Sequence, residues 1–247
     1  MKSKKLITAG RLVLEVIYPR GSRADGPDLR AAKRRMSSEA QQRLNRKYSY
    51  QKLELLAAAN FGGGDLYATL TYDDRRLPAT RAKAIADLKE FRRRLRQARA
   101  KDGRPLRMIW ASESRHGEGR WHHHCLINAS SRRDIDEIRA LWTAGGVDVR
   151  KIRIDKDHSY AAIAHYLSKE PRERHGLRVW SCTRSCRRPT VEVFAVDDDE
   201  QLQPPKGAHV YESAASANEF GSWRYAKYLL PDDAPKKRRR TASKTKR

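Results

Sequence analysis

Three consecutive histidines, His122, His123 and His124, are the first residues whose spacing indicates chemistry. In a β-strand, successive side chains point to opposite faces of the sheet. His122 and His124 would therefore share one face and could chelate one divalent ion. His123 would lie on the other face, beside Trp121 and Cys125. The pattern predicts a metal site on one face of a strand and an apolar contact on the other.

A carboxylate is expected to complete this site. Two apolar segments, 106–113 and 121–128, are separated by a polar stretch, which predicts a β-hairpin. A turn centred on residues 117–118 would pair Glu113 with His122, and paired residues share a face about 5 Å apart. Two histidines and one carboxylate leave coordination positions open, as in catalytic metal sites. A cupin-type site is excluded because it needs a glutamate three or four residues after His124, where none stands.

Tyr166 and Lys169 form a second candidate pair, in the segment AHYLSKE. A helix near 157–169 is predicted, with Tyr160 on its buried stripe and the Tyr166–Lys169 pair on a different side. A neighbouring ammonium favours the phenolate, which makes Tyr166 a candidate nucleophile. Chance Tyr-x-x-Lys pairs are common, so an ordinary surface tyrosine is the alternative.

The elements that must position these residues follow the order β-α-β-β-α-β and then a helix. This order predicts an α+β fold with an antiparallel sheet of about five strands and helices flanking it on one side. We expect three parts: a basic, partly helical N-terminal extension at 1–64, a catalytic unit at 65–196, and an acidic, Pro-rich linker with a partly disordered basic tail at 197–247.

The charge of the chain indicates a polyanionic partner. Lys and Arg number 54 against 30 Asp and Glu, a formal charge of +24. Nucleic acid is the first candidate, and an anionic membrane surface is a distant alternative. Three cysteines argue against a disulfide framework, and neither a membrane-spanning run nor a signal peptide is recognised. A cytoplasmic, nucleoid- or replicon-associated location is expected. No phosphate-binding GxxxxGK[ST] loop occurs, so no nucleotide-driven motor is expected.

Three ordered motifs resemble those of the HUH endonuclease superfamily, in particular the single-tyrosine rolling-circle replication initiators of plasmids and phages. They are LYATLTYDD (66–74), GRWHHHCLI (119–127) and AHYLSKE (164–170). One departure is that His123 stands where the family has an aliphatic residue. The resemblance covers about 66–196.

The resemblance implies an RRM-like palm fold and a known reaction. A divalent ion, Mg²⁺ or Mn²⁺, would bind His122, His124 and Glu113. Tyr166 would attack the scissile phosphate of single-stranded DNA or an origin hairpin, form a covalent 5′-phosphotyrosine and release a 3′-hydroxyl. Lys169 would hold the phosphate or help to deprotonate the tyrosine. A host helicase and a polymerase are the expected partners, without a membrane.

Binding of DNA is assigned to two groups of residues. Arginines on the polar side of the helix at 79–101 are expected to meet phosphates: Arg92, Arg93, Arg94, Arg96 and Arg99. Thr69 and Thr71 of the first motif are also assigned to DNA. Four aromatic residues either stack on bases or pack in the core: Tyr67, Tyr72, Trp110 and Trp121.

Three other functions remain open at this point. Within the superfamily, relaxases carry a third metal-binding histidine and an N-terminal tyrosine, and single-tyrosine transposases are usually shorter. In a different class, a non-enzymatic basic nucleic-acid-binding protein would carry the same charge. Metal dependence and a covalent protein–DNA product separate the enzyme from the binding protein.

Overall fold

The computed structural model describes residues 1–20, 39–114, 119–167, 179–218 and 221–232. The strands are β1 (Lys2–Ala9), β2 (Leu12–Pro19), β3 (Leu66–Thr71), β4 (Met108–Glu113), β5 (His122–Ile127), β6 (Val147–Lys151), β7 (Trp180–Cys182), β8 (Thr190–Val196), β9 (His209–Asn218) and β10 (Gly221–Leu229). The α-helices are α1 (Glu39–Asn60), α2 (Arg81–Ala100), α3 (Asp134–Leu141) and α4 (Tyr160–Leu167), and a short 3₁₀ helix spans Asp74–Arg76. None of the helices in these ranges is long and apolar enough to cross a membrane.

Five strands form what we call the palm sheet, in the order β6-β3-β5-β4-β7. All neighbouring pairs are antiparallel. The chain passes through β3, α2, β4, β5, α3, β6 and α4. The α+β class and the predicted order of elements are therefore confirmed, and β5 with its three histidines occupies the centre of the sheet.

Helices α2 and α3 cover one face of the palm sheet. Helix α2 begins after Thr80, whose side-chain oxygen accepts a hydrogen bond from the Lys83 amide at the exposed first turn. Apolar residues at helical spacing then meet the alternate residues of β3, β4 and β5. This core contains Leu66, Ala68, Leu70, Leu88, Phe91, Leu95, Met108, Trp110, Cys125, Ile127 and Ile138.

Helices α1 and α4 cover the opposite face, so the expectation of helices on one side only was wrong. Both faces of the central strands are apolar: Leu126 of β5 belongs to one hydrophobic cluster, and its neighbours Cys125 and Ile127 belong to the other. An apolar face must be buried against another element, so each face needs its own layer of helices.

A second sheet, which we call the flank sheet, has the order β8-β1-β2-β10-β9. Its strands include residues that the sequence assigned to a basic extension and to a linker. Helix α1 lies between the sheets, because its leucines share one hydrophobic cluster with Leu12 and Leu14 of β2 and with Leu126 of the palm sheet. Strand β8 pairs with β1 although it was assigned to the catalytic unit. The domain boundaries stay a prediction.

Candidate metal centre and the neighbouring tyrosine

The ladder between β4 and β5 has the register predicted from the sequence. Glu113 pairs with His122, and Ala111 pairs with His124. On the other side of β5, strand β3 places Thr69 opposite His124. The hairpin therefore brings the carboxylate and the two alternate histidines to one end of the same face.

The ligand atoms of Glu113, His122 and His124 lie within 4.8 Å of one another. His122 Nε2 is 3.1 Å from Glu113 Oε1, and His124 Nε2 contacts the same oxygen. The two imidazole rings are nearly perpendicular, with centroids 4.9 Å apart. We call these three residues the candidate metal cluster, since two imidazole nitrogens and one carboxylate could hold a metal ion.

The carboxylate of the cluster is ionised at neutral pH. Burial raises the pKa of Glu113, but hydrogen bonds from His122 and His124 and the charges of those rings outweigh burial and lower the pKa to about 2. A cation binds the deprotonated form of a carboxylate. The charge and the donor types of the cluster therefore fit a divalent ion.

His123 lies on the opposite face and is occupied by other partners. Its Nε2 is 2.9 Å from the Tyr72 hydroxyl, and its Nδ1 is 2.7 Å from Ser112 Oγ. Burial, followed by the charges of His122 and His124, lowers the pKa of His123 to about 3. His123 is thus a neutral core residue, as the alternation of the strand predicted.

The two tyrosines of α4 differ as their helical positions predicted. Tyr160 is buried, and its hydroxyl donates a hydrogen bond to the Phe61 carbonyl at 2.6 Å. Tyr166 is 47% exposed, and its ring lies 5.0 Å from the His124 ring in an edge-to-face contact. Only Tyr166 lies beside the candidate metal cluster among the tyrosines of this helix. Its partner Lys169 lies outside the described residues.

Tyr67 is a residue that sequence reasoning placed elsewhere, among base-stacking or core aromatics. Its hydroxyl is 2.7 Å from His124 Nδ1, and its ring contacts Tyr166 with centroids 5.7 Å apart. Burial is the largest cause that raises the pKa of Tyr67. The alternation of LYATLTY was the available signal, because it places Tyr67 on the face of Thr69, which pairs with His124.

The arginines assigned to DNA lie on α2, which covers the face of the palm sheet opposite the cluster. Arg92 lies 4.8 Å above the Trp110 ring, and Arg93 and Arg94 both pair with Glu90. Arg96 is exposed.

Arg99 corrects one expectation of the sequence analysis. It is fully buried and bonded to Asp134, so it does not face phosphates. The polar residue occupies the last position of the apolar stripe, where a buried carboxylate compensates its charge.

The remaining residues assigned to DNA divide into two groups. Thr69 Oγ1 is 3.4 Å from His124 Nδ1, and Thr71 is exposed beside the cluster. Three aromatics are core residues instead, namely Tyr72, Trp110 and Trp121. Contact of either threonine with DNA stays a prediction.

A comparison of the chain with protein families places this site in a known context. Residues 65–171 match the family model of the replication-associated protein ORF2. The matched range contains all three residues of the candidate metal cluster together with Tyr166, and the match is consistent with a replication initiator that binds DNA. No curated protein and no solved structure shows significant similarity to the chain.

Proposed function

We propose that this protein is a metal-dependent, single-tyrosine endonuclease and strand transferase of the HUH type, which nicks a replication origin to initiate rolling-circle replication. The observation that carries the proposal is the half-exposed Tyr166 ring 5.0 Å from the ring of His124, a residue of the candidate metal cluster. The match of residues 65–171 to a replication-associated family supports the same function.

The reaction is a transesterification. The Tyr166 oxygen bonds to phosphorus and the bond from phosphorus to the 3′ oxygen breaks, so the protein holds the 5′-phosphate while the 3′ oxygen takes up a proton. When bound, Mg²⁺ or Mn²⁺ supplies Lewis-acid polarisation of a phosphate oxygen. Ester exchange conserves bond energy, so ATP is not required. The released 3′-hydroxyl primes synthesis by a host polymerase behind a host helicase, and a later attack on the phosphotyrosine rejoins a strand.

The residues of this chain have separate parts in the proposed reaction. Glu113, His122 and His124 bind the ion, and burial of two of them keeps their orientation fixed. Tyr166 is accessible to a strand because half of its surface faces solvent. Lys169 neutralises the phosphate or accepts the tyrosine proton.

The proposal is tested by incubating the protein with labelled single-stranded and hairpin oligonucleotides and Mn²⁺, followed by a denaturing protein gel. A covalent adduct is expected, which EDTA and Tyr166→Phe both abolish. Tyr160→Phe is the matched control, since it removes a hydroxyl from the same helix, and it should retain the adduct.

Two results would contradict the proposal in different ways. An adduct that survives in Tyr166→Phe and is lost in Tyr160→Phe would keep the enzyme and replace the nucleophile. Binding of a hairpin library without cleavage or adduct formation would instead indicate a non-enzymatic nucleic-acid-binding protein.

A further inference from the structure

We infer that Tyr67 is the positioning residue of this site, with two tasks: its hydroxyl orients His124, and its ring orients Tyr166. The inference rests on the proposed function for the role of Tyr166. The role toward His124 depends only on metal binding by the candidate metal cluster.

The position of Tyr67 follows from the ladder between β3 and β5. Tyr67 pairs with Leu126, and Thr69 pairs with His124. The Tyr67 side chain therefore lies diagonally across from His124 on the same face of the palm sheet. Its ring lies 5.9 Å from the His124 ring at an interplanar angle of 30°.

The hydroxyl of Tyr67 determines which nitrogen of His124 faces the cluster. The distance from Tyr67 Oη to Nδ1 is 2.7 Å, and Thr69 Oγ1 is a longer second neighbour at 3.4 Å. With Nδ1 held in this way, Nε2 contacts Glu113. An imidazole that coordinates through Nε2 carries its proton on Nδ1, which then donates to Tyr67 Oη.

The ring of Tyr67 contacts the proposed nucleophile. Tyr67 and Tyr166 meet edge to face, with an interplanar angle of 80°. Tyr166 is half exposed, so fewer neighbours limit its side-chain rotation than in a core residue. One side chain thus contacts both the metal-binding histidine and the nucleophile, and it fixes the distance between them.

The hydroxyl is tested by titrating the metal-free protein with Mn²⁺ in the absence of DNA, and following the free-ion signal by electron paramagnetic resonance. Tyr67→Phe should weaken Mn²⁺ binding about 10- to 100-fold, the usual effect of removing the partner of a metal-bound histidine. Tyr72→Phe is the matched control, because it removes a hydroxyl that contacts His123 on the opposite face. Its Mn²⁺ affinity should equal that of the wild type.

Equal Mn²⁺ affinity in Tyr67→Phe and the wild type would overturn the role of the hydroxyl. A loss of the same size in Tyr72→Phe would also overturn it, since the effect would then come from general destabilisation. Thermal unfolding of both variants shows whether they fold.

The ring is tested by the rate of adduct formation at saturating Mn²⁺. Tyr67→Phe keeps the ring and should approach the wild-type rate, whereas Tyr67→Leu should remain about tenfold or more slower because Tyr166 loses its aromatic neighbour. Equal rates in Tyr67→Leu and the wild type would overturn the role of the ring. If the wild type binds Mn²⁺ but forms no adduct, the proposed function and the role of the ring both fail, and the Mn²⁺ titration still decides the role of the hydroxyl.

Discussion

Adjacent histidines of β5 have opposite chemical environments. His122 and His124 contact an ionised carboxylate, whereas His123 is enclosed by Tyr72, Ser112 and the Trp142 ring. The period of two residues in a strand is the sole cause of this difference, since all three share one backbone. At this scale, the chemistry of an imidazole depends on the side of the sheet that it faces.

The buried state of His123 predicts how the stability of the protein depends on pH. The pKa of His123 is about 3 in the folded protein against an ordinary value of 6.5, so between these values the unfolded chain binds a proton that the folded chain does not. The free energy of unfolding should therefore fall as the pH decreases through this window, by about 1.4 kcal/mol per unit where the difference is one full proton. Urea unfolding in EDTA from pH 4.5 to 7.5 should give a steeper pH dependence for the wild type than for His123→Gln. Parallel curves would contradict a neutral, buried His123.

At the scale of elements, a buried ion pair joins the end of α2 to the start of α3. Arg99 donates to Asp134 Oδ1 at 2.9 Å and to the Asn128 carbonyl at 2.9 Å. Asp134 also accepts hydrogen bonds from the amides of Ser130 and Ser131. Burial raises the pKa of Asp134, but these amide bonds and Arg99 lower it overall. The pair thus fixes the two helices that cover the face opposite the candidate metal cluster.

Removing one partner of this pair should be costly. Asp134→Asn leaves the Arg99 charge buried without its carboxylate, which should lower the free energy of unfolding by about 3 to 5 kcal/mol. Asp136→Asn, on the exposed side of the same helix, should change it by less than about 0.5 kcal/mol. Urea unfolding at pH 7 measures both. Similar losses in the two variants would show that the buried pair has no special part in stability.

At the scale of the whole molecule, the flank sheet joins the two ends of the described chain. Strand β2 pairs with β10, and the Arg11 guanidinium donates to the Leu230 carbonyl at 2.7 Å. Lys227 of β10 is buried against Glu54 of α1, with Nζ 3.0 Å from Oε1. Distant parts of the sequence therefore support the helix that packs on the palm sheet.

The basic segment at residues 236–247 contributes eight Lys and Arg residues to the net charge. Deleting it should weaken binding of single-stranded DNA at low salt and make the dependence of affinity on salt shallower, by about 0.7 in the logarithmic slope for each phosphate that the protein no longer neutralises. Mn²⁺ affinity should not change. Fluorescence anisotropy from low to moderate salt measures the slope, and an unchanged slope would show that this segment does not contact DNA.

The success of sequence analysis followed the range of the contacts involved. Glu113 and His122 are nine residues apart in one hairpin, so alternation and turn position sufficed to pair them. The flank sheet pairs β2 with β10 across most of the chain, and no local pattern indicates such a partner. Arg99 was misassigned because its residue type suggested the surface, although it continues the stripe of Leu88 and Leu95.

The hydrogen bonds of His123 have a consequence for how this motif can evolve. The middle position of the histidine motif is aliphatic in the superfamily that the sequence resembles. An aliphatic residue at this position alone would leave Ser112 Oγ without its imidazole partner and would weaken the support of the Tyr72 hydroxyl. Mutational paths between the two versions should therefore pass through apolar residues at 112 and 72 first. We expect positions 72, 112 and 123 to covary among relatives, and a His123→Val change to be tolerated best when Ser112→Ala accompanies it.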